Sequence, residues 1–187
     1  MTPPTLPDDL AAILRGLEES DREAAALIAE LDEERFNWRP DERSWSVAQC
    51  LDHLNVANRL YIEPIRDALE AAKRKGASRR GPIELRGLGR WFVRTMEPPP
   101  RRRLPAPRKI VPAAHRSRAE VGEEWSRLQG QIHDLLHQAA PWDLNRTRFV
   151  NPFLPLVRFT VGTGLSVIDA HERRHLWQAR QIVGKLI

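Results

Sequence analysis

Near the end of this 187-residue chain stands His171-Glu172-Arg173-Arg174-His175. Two histidines four apart on a helix share one face, about one turn of rise from each other. Both imidazoles can therefore reach a single cation. Two ligands seldom complete a metal site, so a third must come from elsewhere. The best source is His53, within the helical pattern Trp45-Ser46-Val47-Ala48-Gln49-Cys50-Leu51-Asp52-His53-Leu54. A histidine pair on a late helix with one histidine on an early helix describes a metal site between packed helices.

A second pair with the same spacing, His133 and His137, lies more than 100° from the middle of its helix's apolar stripe and reads as solvent-facing. His171 and His175 fall at the edge of theirs, pointing partly inward. The bland alternative for that pair is two core-edge histidines satisfied by hydrogen bonds. Glu172 projects near the middle of the apolar face, where an isolated carboxylate is costly. It is expected to be paired with an arginine, hydrogen-bonded, or set behind a ligand histidine to orient it. Cys50 reads as a small buried hydrophobe.

The elements that must carry these residues are helical. The first helix is expected from Asp8 to Asp32, with Leu10, Ile13, Leu14, Leu17, Ala24, Leu27, Ile28 and Leu31 near helical spacing. The second starts after Ser46, with Gln49 three residues on as a capping box. It runs to about Lys73, bent where Pro64 lacks a donor. A third spans Ser117 to Gln138, closed by Pro141, and a fourth Thr163 to Leu186. Between the second and third lies a long connection rich in proline and arginine. Its stretch Glu84 to Glu97, with Leu85, Leu88, Trp91, Phe92 and Met96, predicts a short amphipathic helix lying against the rest. No strand-rich region or internal repeat is evident. The expected fold is all-α, a four-helix bundle with a long Pro/Arg-rich crossover, in one domain over 1–187.

Composition narrows the function classes. The N-terminus lacks the basic start and apolar run of a signal peptide, and no stretch approaches the roughly 20 apolar residues of a membrane span. Cys50 is the lone cysteine, which excludes an intrachain disulfide and a thiolate-rich zinc site. A cytoplasmic protein is expected. The net charge of +5 is unevenly spread: Lys73 to Arg118 holds fifteen Lys and Arg against Glu84 and Glu97, and the remainder is net acidic. That segment is either a solvated connection paired with acidic helix faces or a surface for an anionic partner.

Taken in order, several pieces resemble the DinB family, in particular its branch of metal-binding four-helix bundles. Asn37-Trp38-Arg39-Pro40 followed by Trp45-Ser46-Val47-Ala48-Gln49 looks like the family's entry into its second helix, and His53-Leu54 follows at the expected offset. Pro105-Ala106-Pro107 lies in the crossover. His171-Glu-Arg-Arg-His175-Leu-Trp-Gln178 looks like the closing motif. The resemblance implies a divalent cation, zinc or nickel being common, held by His53, His171 and His175, with positions left for water or substrate. Three neutral imidazoles preserve the ion's charge, so bound water becomes more acidic and a thiol binds as thiolate. Some relatives are thiol S-transferases or thiol-dependent isomerases, and the family analogy extends to a homodimer.

The expectation is thus a metal-dependent enzyme, a thiol S-transferase or hydrolase. It would activate a low-molecular-weight thiol or water for attack on a small electrophilic substrate. No general base is identified. Arg79, Arg80, Arg86, Arg90 and Arg94 are candidates for an anion-binding wall facing a carboxylated thiol. Two other classes compete: a stress-related binding protein without catalysis, and a nucleic-acid-binding module using the basic crossover. The crossover carries no helix-turn-helix or base-stacking motif, which argues against nucleic acid.

Overall fold

The computed structural model describes residues 5–100 and 110–186. Pro105-Ala106-Pro107 and the arginines at 101–103 lie outside the described residues. The protein is mostly helical, with six helices and one short hairpin among the described residues.

Helix α1, Asp8–Glu30, buries Leu10, Ile13, Leu17, Ala24 and Leu27 along one face. It stops short of the expected Asp32 because the Asp32 carboxylate accepts the Arg35 N–H at 2.8 Å and caps a new five-residue helix, α2, Glu33–Asn37. Helix α3, Val47–Arg74, begins at the expected capping box: Ser46 Oγ accepts from Gln49 N and Gln49 Oε1 from Ser46 N, each at 3.1 Å. It continues through Pro64 to Arg74, and Gly76 just past its end has a φ of +60°, a left-handed conformation that glycine adopts without steric cost.

The crossover contains helix α4, Gly87–Met96, at the place expected. Val93, Phe92 and Met96 pack on the core, with Phe92 against Phe159 at 5.2 Å between ring centroids. Leu88 and Trp91, expected against the bundle as well, are exposed. Helix α5, Arg118–Ala139, starts at a second capping box, Ser117 with Glu120. Helix α6, Val161–Val183, is capped by Thr160 Oγ1, which accepts the Thr163 N–H at 3.1 Å.

Just before α6 lies a hairpin that the sequence pattern did not reveal. Strand β1, Arg148–Val150, pairs antiparallel with β2, Arg158–Thr160. Phe149 and Phe159 lie opposite each other and are buried; Arg148 and Arg158 lie on the other face.

Among the long helices, α3 packs on α5 and α6, and α1 packs on the same two, while α4 lies against α6. The interior divides in two. One apolar cluster gathers Leu10, Leu17, Tyr61, Ile65, Ile132 and Leu165; the other gathers Leu27, Phe36, Leu51, Leu54, Trp125 and Leu176. Between them each long helix presents a buried polar residue: Ser20 on α1, Asn58 on α3, Gln129 on α5 and Glu172 on α6. No described helix is long and apolar enough to cross a membrane.

Candidate metal centre

His53 projects from the second turn of α3, whose start the Ser46 cap determines. His171 and His175 project from α6, one turn apart, onto the face that packs against α3. The three histidines come together as expected: one ligand nitrogen from each lies within 4.8 Å of the others, the only such group among the described residues. His133 and His137 do not join it. They sit half-buried on α5, with His133 Nε2 3.6 Å from Asp21.

The outward nitrogens of two rings are already engaged. His53 Nδ1 donates to the Ile110 carbonyl at 2.6 Å, and His175 Nδ1 to Gln178 Oε1 at 3.1 Å. Each bond selects the tautomer with its proton on Nδ1 and the lone pair on Nε2. His53 Nε2 stands 3.1 Å from His171 Nε2. With His53 Nε2 lacking a proton, this contact is a hydrogen bond donated by His171 or the edge of a coordination polyhedron. Nitrogens bound at about 2.0–2.1 Å to one tetrahedral ion lie roughly 3.3 Å apart, so little movement separates the two. The donor set fits a divalent cation.

The environment keeps the imidazoles neutral. Burial lowers the pKa of all three; for His171 and His175 the neighbouring histidines and the Arg174 guanidinium lower it further, well below the usual range. Neutral imidazole is the ligand form, so protons compete little with a metal near neutral pH. Trp45 closes one side, tilted over His53 at 4.9 Å and stacked on His175 at 5.6 Å between centroids.

The chain returning from the crossover is held on α3 beside this centre. Asp52 accepts from Ala113 N at 2.9 Å and from Arg116 at 3.2 Å, while Gln49 donates to the Ala113 carbonyl at 3.4 Å. These contacts place the Ile110 carbonyl on His53. From α6, Arg174, nearly buried, donates to the Thr95 carbonyl of α4 at 2.7 Å, and Arg173 bridges Asp169 and Glu97. The crossover thus meets α3 at Ala113 and Arg116 and α6 at Thr95 and Glu97. None of Ile110, Thr95 or Arg174 was singled out from sequence, and a backbone acceptor leaves no side-chain signal.

Among the described residues Glu172 neither orients a ligand histidine nor has an arginine partner. Its Oε1 accepts from Asn58 at 2.7 Å and Gln129 at 2.6 Å, fulfilling the hydrogen-bonded alternative. Cys50 is fully buried and its thiol pKa is raised by desolvation, so it is no nucleophile at neutral pH. Of the arginines expected to form an anion-binding wall, Arg79 is committed to Asp9 through bonds of 2.6 and 2.7 Å. Arg86, Arg90 and Arg94 share one open cavity.

No curated protein and no solved structure matches the sequence. The family model of the DinB superfamily matches residues 16–179, a span that includes α3, α6 and all three histidines. The chain belongs to the DinB superfamily.

Proposed function

We propose that this protein is a divalent-metal-dependent enzyme in which His53, His171 and His175 hold the ion through Nε2, with zinc or nickel as the metal. The observation that carries this reading is tautomer control: the Ile110 carbonyl and Gln178 engage Nδ1 of two rings and leave Nε2 of each as the lone-pair atom, with His53 Nε2 3.1 Å from His171 Nε2 and all three rings within reach of one ion. Held by three neutral ligands, such an ion supplies Lewis acidity that favours the deprotonated form of a bound thiol or water. The chain's own residues do the rest. Trp45 walls the centre from solvent, Asp52 holds the returning crossover in place, and Arg174 adds a nearby positive charge that favours an anionic nucleophile or substrate.

The reaction is transfer of a low-molecular-weight thiol to a small electrophile, or hydrolysis of one. The four long helices, each packed on two others, constitute the family's four-helix bundle within a single cytoplasmic domain, and two copies form a homodimer. Metal content of untagged protein tests the core of this proposal. Near one divalent ion per chain is expected, and its loss in His171→Ala. Absence of metal, with no uptake of added zinc or nickel, refutes it. Metal binding without turnover over a panel of thiols and electrophiles would instead favour a non-catalytic binding protein.

A further inference from the structure

A cavity of about 490 Å³ lies beside the start of α6, lined by Arg80, Arg86, Arg146, Arg148 and Arg158 with only Glu84 and Asp143 to oppose them. Thr163 on its wall precedes His171 by eight residues, or about 12 Å along the helix, so the cavity is separate from the three histidines.

Its rim is built from three segments fastened together. Asn145 accepts from Glu84 N and donates to the Pro82 carbonyl, each at 2.8 Å, tying the crossover to the loop after α5. Asp143, nearly buried, accepts from the backbone of Asn145 and Arg146 and draws Arg80 and Arg146 to within 3.9 Å. Arg86 pairs with Glu84. Arg148 and Arg158 have no acidic partner among the described residues. They are diagonal neighbours on one face of the hairpin, with Arg148 opposite Thr160 and Arg158 opposite Val150. Diagonal positions are roughly 7–8 Å apart, within reach of a common anion for side chains of this length.

The N-terminal end of α6 adds its dipole but no donors. The N–H groups of Val161, Gly162 and Thr163 are taken by Thr147 O, Leu144 O and Thr160 Oγ1. Recognition therefore falls to guanidinium groups, whose forked donors suit a tetrahedral dianion.

We propose that this cavity binds the phosphate group of a small phosphorylated molecule, with Arg148 and Arg158 as its principal ligands. Five guanidinium groups against two carboxylates leave three positive charges, enough for a phosphomonoester dianion. The cavity's volume lies within the range of small-molecule sites, roughly 300–1,000 Å³. Its concavity and the absence of an exposed aromatic ring on its lining favour such a ligand over a nucleic-acid strand.

The test is calorimetric titration of the metal-loaded protein with glycerol 3-phosphate at low ionic strength, with glycerol and acetate as comparators. One-to-one binding is expected, weakened at least about tenfold in R148A/R158A through loss of two charge-assisted contacts. Glycerol should not bind, acetate should bind more weakly, and H171A should bind as the parent does. Both arginines are exposed and without an acidic partner among the described residues, so the double variant should keep its helical circular dichroism. No binding of glycerol 3-phosphate refutes the proposal, as does binding unaffected in R148A/R158A. Binding lost in H171A but kept in R148A/R158A would move the anion to the metal. Tighter capture of a short DNA duplex through the same arginines would replace the small molecule with nucleic acid.

Discussion

Glu172→Gln should stabilise the protein in alkaline solution and leave it nearly unchanged near pH 5. Glu172 is fully buried between the two apolar clusters, and its two bonds from Asn58 and Gln129 both fall on Oε1, while Oε2 has no partner among the described residues. Desolvation outweighs the two bonds and pushes its pKa from an ordinary 4.5 up to about 8. Below pH 4.5 the carboxyl is protonated in both folded and unfolded chains and adds no pH dependence. Between the two values the unfolded chain has released a proton that the folded chain retains, so stability falls by about 1.4 kcal/mol per pH unit. Above pH 8 the loss is complete, on the order of 4–5 kcal/mol as an upper figure. Glutamine keeps the acceptor for both amides and carries no titrating proton, so the variant should lack this slope. Urea unfolding followed by fluorescence of the six tryptophans, in chelator, at pH 5, 7 and 9 measures the difference. A gap between variant and parent that grows with pH supports the argument. A gap independent of pH, or a variant less stable at pH 9, refutes it, for the carboxylate would then be ionised and stabilised in the fold.

Acid should act on the metal centre in the opposite sense. Burial holds the folded pKa of all three histidines below 6.5, so the unfolded chain takes up protons first and metal-free protein should lose stability as pH falls below about 6.5. Bound metal should be released over a more acidic range, readable with a chromophoric chelator; release that begins above pH 7 would contradict it. Asp52→Ala frees the segment that places the Ile110 carbonyl on His53, and metal affinity should fall by about 10–100-fold while the ligands stay intact; competition with a chelator of known affinity measures this. Ser46→Ala removes the cap of α3 and should cost about 1 kcal/mol by urea unfolding, since the Gln49 N–H loses its acceptor.

The long helices and the three histidines were legible in the sequence because their signals are local. A capping box occupies four residues and a histidine pair five, and apolar periodicity repeats within every helix. Ser46 with Gln49 therefore located the start of α3 directly. The hairpin was hidden for the converse reason. Three-residue strands are too short to show alternation, and Pro152 and Pro155 between them read as loop. Asp32 illustrates a nearer miss: apolar spacing carried α1 onward, and only the competing side-chain bond to Arg35 ended it. Glu172 was recognised as needing a partner, yet Asn58 and Gln129 lie 114 and 43 residues away. The pairing depends on how helices meet, which periodicity on a single helix does not encode.

The acceptor that orients His53 belongs to the main chain of Ile110, and this divides mutations into two kinds. Any amino acid placed at position 110 still offers a carbonyl, so the orientation of the ring tolerates substitution there. An insertion or deletion between Ile110 and Ala113 is different, because Asp52 and Gln49 fasten Ala113 and a change in spacing slides the carbonyl away from the ring. What orients the ring at that point is therefore a distance along the backbone, while the buried Ile110 side chain answers separately to packing.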